Sequence, residues 1–158
     1  MILRVGDMWT DSHADVILFT GNASVRADGA LVMGRGTALE AQTRFPGCNQ
    51  VFGSLIRHHA ATCGGPEGSP YGILIHPELA RPMIGVCQVK YRWSDKARLD
   101  LIQYSINLLN FRCQFQWRQV SVALNFPGIG FGGLKRRDVL PIIKSLPDNV
   151  EVWERPKP

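Results

Sequence analysis

The chain is constrained most by the stretch Gly21-Asn22-Ala23-Ser24-Val25-Arg26-Ala27-Asp28-Gly29-Ala30-Leu31-Val32-Met33-Gly34-Arg35-Gly36-Thr37-Ala38. An apolar run, Val16-Ile17-Leu18-Phe19, leads into it, and helix formers from Thr37 to Phe45 lead out of it. Asn22 and four glycines lie between. A strand, a backbone-rich loop and a helix start can turn several N–H groups toward one anion, and the helix dipole adds to the attraction. Glycine also allows a phosphate to approach the chain closely. The alternative is a long connection that uses glycine only for its turns.

A second unit of the same kind decides between them. The buried strand expected over Val120–Asn125 runs into Phe126-Pro127-Gly128-Ile129-Gly130-Phe131-Gly132-Gly133-Leu134, and a helix is expected over Arg137–Leu146. In one small sheet both loops sit at the same edge, and two facing loops suit a diphosphate better than a lone phosphate. No Gly-Lys-Ser/Thr follows either loop, which excludes a Walker-type site. Gly34-x-Gly36 lacks a third glycine in register, so a Rossmann dinucleotide site fits poorly.

The remaining elements alternate. Strands are expected at Ile2–Val5, Asp15–Thr20, Tyr71–His76, Met83–Lys90 and Asn149–Glu154, and a polar turn at Thr10–Ser12. Helices are expected over Thr37–Phe45, stopped by Pro46-Gly47, over Asn49–Thr62, and over Asp95–Phe111. The last carries an apolar stripe of Leu99, Ile102, Ile106, Leu108 and Leu109, with Ser94 or Asp95 as its cap. Cys63–Pro70 reads as a loop. This order predicts an α/β fold of three layers, α/β/α, around a central mixed sheet. One domain spans residues 1–154, and residues 155–158 form a short loose tail.

Composition narrows the partners. No apolar run approaches the roughly 20 residues that span a bilayer, and residues 1–7 lack the pattern of a secretion signal, so a cytoplasmic protein with no membrane partner is expected. Cys48, Cys63, Cys87 and Cys113 are widely spaced. They read as free buried thiols in a reducing compartment, with neither metal nor cofactor expected. The net charge of +5 and pI near 9.3 favour anionic partners. The charges are spread along the chain apart from Lys135-Arg136-Arg137, which disfavours a dedicated nucleic-acid surface. Binding of single strands through basic and aromatic residues is the weakest of the readings.

Taken together, the motifs resemble those of macro domains, the fold that binds ADP-ribose. Gly6-Asp7-Met8 resembles the family's early Gly-Asp-Ile. Asp15-Val16-Ile17-Leu18-Phe19-Thr20-Gly21-Asn22 resembles its strand ending in asparagine. Gly29-Ala30-Leu31-Val32-Met33-Gly34-Arg35-Gly36-Thr37-Ala38-Leu39, with Phe45-Pro46-Gly47, is similar to the Met-Gly-Lys-Gly-Ile-Ala…Phe-Pro form. That form belongs to the branch with ADP-ribose 1″-phosphate phosphatases and lysine-dependent ADP-ribosyl glycohydrolases. Phe126–Leu134 resembles the family's second phosphate loop, and Val150-Glu151-Val152-Trp153 its last strand.

The resemblance implies the following roles. Asp7 accepts from the adenine amino group, the Met8 backbone lies beside the adenine, and Trp153 stacks near it. Asn22 orients the distal ribose. Met33, Gly34, Arg35, Gly36 and Thr37 wrap that ribose and a phosphate. Gly128, Ile129, Gly130, Gly132 and Gly133 hold the diphosphate, and Phe131 covers the ligand. Lys90 falls where the glycohydrolases carry their catalytic lysine. The implied function is hydrolysis that removes ADP-ribose from a modified macromolecule, or phosphate from ADP-ribose 1″-phosphate. Nucleic acid enters only as a modified substrate, and a monomer is expected. One departure favours a non-catalytic reader or scavenger of ADP-ribose instead. The animal-type glycohydrolase has an aspartate in its second glycine loop, and Gly130-Phe131-Gly132-Gly133 has no acid. Asp138, Asp28 and His13 are the candidate substitutes.

Overall fold

A computed structural model describes residues 1–63 and 69–158. Residues 64–68 of the expected loop lie outside the described residues. In chain order the elements are β1 (Ile2–Val5), α1 (Met8–Asp11), β2 (Val16–Gly21), α2 (Gly36–Arg44), α3 (Cys48–Cys63), β3 (Ile73–Ile75), β4 (Met83–Gln88), α4 (Leu99–Phe115), β5 (Val122–Asn125), α5 (Arg136–Ile143) and β6 (Val150–Glu154). Among the described residues the strands form one sheet in the order β1-β6-β5-β2-β4-β3. All neighbours are parallel except β3 and β4, which pair antiparallel at one edge. The sheet is therefore mixed, as expected.

Both faces of the central strands are buried, which is why β2 reads as an unbroken apolar run. Val16 and Leu18 face one side with Val122, Leu124, Val150 and Val152, against Ile102, Ile106 and Leu109 of α4 and Val139 and Ile143 of α5. Phe19 faces the other side with Ile84 and Val86, against Ala38 and Ala41 of α2 and Phe52 and Ile56 of α3. Ile17, Ala123 and Trp153 pack under Met8 of α1. The result is the three-layer α/β/α architecture.

Four local expectations need correction. The polar turn expected at Thr10–Ser12 is instead, over Thr10 and Asp11, the second half of the helical turn α1, which Asp7 caps by accepting from the Trp9 amide at 2.9 Å. The long helix begins at Leu99, not Asp95, and runs on to Phe115. Ser94 and Asp95 do not cap it. The segment before it is drawn elsewhere: the Ala97 amide donates to Gly132 O, and the Arg98 amide to Val89 O, each at 2.9 Å. The tail is not loose at its start, since Arg155 pairs with Asp7 and Glu40. Cys48, Cys87 and Cys113 are buried, whereas Cys63 is exposed. Burial pushes the Cys48 thiol up to about 11 and Cys87 up to about 12. Among the described residues, no helix is long and apolar enough to cross a membrane.

The outer arm of the Gly21–Ala38 stretch lies on α3. Leu31 donates to Asn49 O at 2.9 Å, Arg57 reaches Arg26 O at 2.8 Å, and Val25 and Leu31 form an isolated bridge. Gly53 permits this approach: a Cβ there would stand 1.9 Å from Gly29 O. Gly53→Ala is therefore expected to cost about 1–3 kcal/mol and to lower Tm by roughly 3–10 °C in a thermal melt. An unchanged Tm would mean that the arm does not pack on α3 in solution.

Candidate functional site

Parallel neighbours β2 and β5 send the chain to opposite faces of the sheet, β2 toward α2 and β5 toward α5. Such a divergence opens a crevice at the carboxyl ends of the strands. The ladder between β2 and β5 stops at Leu18 and Leu124. Beyond that point Asn125 bridges with its side chain. Its Oδ1 accepts from the Thr20 amide at 2.8 Å and from Thr37 Oγ1 at 3.1 Å, and its Nδ2 donates to Thr20 Oγ1 at 3.0 Å. A cavity of about 770 Å³ lies over this point, within the usual range for small-molecule sites.

Asn22 sets the shape of the first loop. It is buried, its Oδ1 accepts from the Ser24 amide at 2.8 Å, and its Nδ2 donates to Val32 O at 3.0 Å. One side-chain N–H remains for a ligand. The loop ends at Gly36, whose φ of +59° favours glycine and which opens α2. No side chain caps α2, so its first amides and the positive end of its dipole are left for an anion.

The second loop carries a 3-10 turn at Gly130–Gly132, closed by the Leu134 amide donating to Gly128 O at 2.9 Å. Phe131 is 68 % exposed at the mouth of the cavity. It is therefore not a core aromatic. The Arg35 guanidinium lies 5.6 Å from its ring centroid, so the two loops meet across the opening.

Lys90 follows β4 and lines the same cavity. Its Nζ donates to the carbonyls of Trp93 at 2.8 Å and Asp95 at 3.1 Å. The Trp93 carbonyl is itself placed, because the Trp93 amide donates to Ser24 Oγ at 3.0 Å. A chain of contacts thus runs from Asn22 through Ser24 and Trp93 to Lys90. Burial lowers the Lys90 pKa below the ordinary lysine value. The Asp95 charge opposes that shift, and the Arg35 charge adds to it.

Most of the sequence-derived residues meet here. Asn22, Met33, Gly34, Arg35, Gly36 and Thr37 line one side, Gly128, Ile129, Gly130, Phe131 and Gly132 the other, and Trp153 and Lys90 the ends. Asp7, Met8 and Gly133 do not line the cavity. Asp7 is paired with Arg155, Met8 is buried in the cluster with Trp153, and Gly133 stands against the Lys96 side chain. The candidate acids are also elsewhere. Asp28 pairs with Arg26, Asp138 with Arg137, and His13 borders a separate pocket with Ser12 and Arg81. Asp95, Glu40 and Glu154 line the cavity instead. Sequence reasoning missed Asn125, Glu40, Trp93 and Arg155. A strand-ending asparagine before Phe126-Pro127, matching Asn22 at the end of β2, was the available signal for Asn125.

No protein-family model and no curated sequence matches the chain. Solved structures do. The macrodomain of Thermus aquaticus DarG is similar at a TM-score of 0.72 with 24% identity, covering 99% of both chains. The macrodomain of Mycobacterium tuberculosis DarG gives 0.67 with 20% identity, again over 99% of both. Thermosipho africanus DarTG, solved in complex with ADP-ribose, gives 0.74 with 18% identity over 98% of this chain, which spans 42% of that longer one. With the six-stranded mixed sheet between two helical layers and the cavity at its carboxyl edge, these likenesses establish that the chain has the macrodomain fold.

Proposed function

We propose that the protein binds ADP-ribose in the cavity at the carboxyl edge of the sheet and hydrolyses the bond at its distal anomeric carbon. One observation carries this reading. Two glycine loops and an uncapped helix start converge on a cavity of about 770 Å³ that also holds a lysine. The loops offer backbone N–H groups to a diphosphate, and the remaining N–H of Asn22 faces the ribose between them. The similar Thermosipho africanus DarTG, solved with ADP-ribose, supports the choice of ligand.

In this reading the neutral amine of Lys90 attacks the anomeric carbon. A C–N bond forms, the bond to the leaving group breaks, and the leaving group takes a proton from the solvent side. Water then cleaves the C–N bond and restores the amine. The charge that develops on the sugar and the leaving group is met by fixed dipoles of the loops. Burial and Arg35 both favour the neutral amine. The leaving group is the macromolecule, or phosphate if the substrate is ADP-ribose 1″-phosphate.

A second reading, a binder without turnover, is favoured by the Lys90 contacts. Two backbone carbonyls on Nζ stabilise the ammonium form, which has no lone pair to attack with. Calorimetry with ADP-ribose, followed by turnover on ADP-ribosylated protein, ADP-ribosylated nucleic acid and ADP-ribose 1″-phosphate, separates the two. Lys90→Ala is expected to keep binding within a few fold and to lose at least about a hundredfold in kcat. Binding without turnover on any substrate would leave the binder, and no binding would sink both readings.

The pH profile is a further check. Activity that needs the neutral amine rises with pH and levels off above the Lys90 pKa, which lies below that of an ordinary lysine. Arg35→Ala removes a like charge, raises that pKa and moves the rising limb to higher pH. Asp95→Asn removes an attracting charge and moves it lower. Shifts of the opposite sign would remove Lys90 from the chemistry.

A further inference from the structure

Lys90 stands at the end of a strand on a flexible four-carbon stem, and the stem alone leaves its amine many positions. Two main-chain carbonyls narrow them. Lys90 Nζ donates to Trp93 O at 2.8 Å and to Asp95 O at 3.1 Å. Both carbonyls belong to the connection between β4 and α4, which lies in no helix or strand. The first glycine loop holds that connection instead. The Ala23 amide donates to Tyr91 O at 2.8 Å, and the Trp93 amide donates to Ser24 Oγ at 3.0 Å. Ser24 is itself fixed through its main chain: its amide donates to Asn22 Oδ1 at 2.8 Å, and its carbonyl accepts from the Val32 amide at 2.9 Å. The Ser24 hydroxyl is thus a post on a braced loop, and Ser24 does not line the cavity.

The ammonium form of a lysine has three N–H donors and no lone pair. Loss of one proton leaves two N–H groups and one lone pair around the nitrogen. With both N–H groups donated to two fixed carbonyls, the lone pair has one direction left. The contacts that stabilise the ammonium form therefore also aim the amine once its proton is gone. Aim matters for attack, because a reacting atom held in line gains far more rate than one that is merely near.

We propose, on the hydrolase reading above, that the Trp93 and Asp95 carbonyls aim the lone pair of Lys90 at the anomeric carbon, and that Ser24 is the positioning residue that holds this clamp in place. Asn22 then orients the ribose and Ser24, two residues on, orients the amine, so one loop sets both reacting partners. The charges that act on the amine are Asp95 of its own segment and Arg35 of the first loop. Arg92, Lys96 and Arg98 are the other charged residues of that segment. Of the remaining acids that line the cavity, Glu40 is held by Arg155 and Glu154 by Arg136. The second loop, Gly128 to Gly133, carries no charged residue. Replacing Ser24 leaves every one of these groups in place.

Ser24→Ala tests the proposal, because it removes the hydroxyl and keeps both main-chain bonds of residue 24. Its kcat is expected to fall about tenfold, with KM and Tm unchanged. With the Trp93 carbonyl released, the ammonium form loses part of its support, and the rising limb of the pH–rate profile moves to lower pH. Acylation of Lys90 by an amine-selective reagent, followed against pH by mass spectrometry, reads the same shift without turnover. Ser24→Thr keeps the hydroxyl and is expected to restore the rate, the limb and the acylation profile. A faster Ser24→Ala would overturn the inference, since the carbonyls would then restrain the amine and not aim it. A KM that rises as far as kcat falls would overturn it too, as would an unmoved acylation profile or a loss that Ser24→Thr does not restore. A wild type without turnover on any of the substrates refutes the hydrolase reading and this inference with it. Turnover that ignores Ser24 refutes the inference alone.

Discussion

The site depends on how two parallel strands part. β2 and β5 share a ladder only as far as Leu18 and Leu124, and their continuations leave for opposite faces of the sheet. Backbone groups at such a parting lose their strand partners, and a buried amide without a partner costs roughly 1–3 kcal/mol. Asn125 removes that cost with one side chain. It satisfies the Thr20 amide and at the same time ties Thr37, and so the start of α2, to the end of β5. The gap between the strands is thereby kept open and polar, and the glycine loops have a fixed floor to stand on.

The same economy appears in the first loop, where Asn22 holds both arms with one amide group. Its contacts extend through Ser24 to the carbonyl that holds Lys90. The segment from Tyr91 to Asp95 is tied to the first loop and not to the helix that follows it, which is why that helix starts late. The Ala23 amide donating to Tyr91 O at 2.8 Å is a further tie of the same kind. The lysine and the ribose side of the cavity are thus one assembly, built on two segments about 70 residues apart in sequence.

Much of this was legible in the chain. The buried strands announced themselves as apolar runs, and the two glycine loops as breaks between such runs and helices, because periodicity and glycine act over a few residues. Lys90 was legible from its place at a strand end. What stayed hidden was set by contacts distant in sequence. Nothing local says that Arg155 reaches Asp7 and Glu40, over sequence separations of 148 and 115. Nothing local says that Ser94 and Asp95 are drawn to the cavity instead of capping α4. Met8 and Trp9 looked like a lead into a turn because a helix of one turn has no room for a periodic signal. The exposure of Phe131 was also beyond reach, since an aromatic in a glycine loop reads equally well as core or as rim.

The position of β1 has a consequence for how firmly the two ends of the cavity are held. β1 is an edge strand with all four residues exposed, and among the described strands it pairs with β6 alone. β2 and β5 are interior strands, and Val16, Leu18, Val122 and Leu124 are wholly buried. Local opening is easiest where apolar contacts are fewest. The loops at the ends of β2 and β5 therefore stand on the most protected part of the sheet. Asp7 hangs from the turn after β1, secured by the Gly6 amide donating to Glu154 O at 2.9 Å. Local opening is therefore expected to begin at the β1 edge, on the side of the sheet away from the strands that carry the glycine loops.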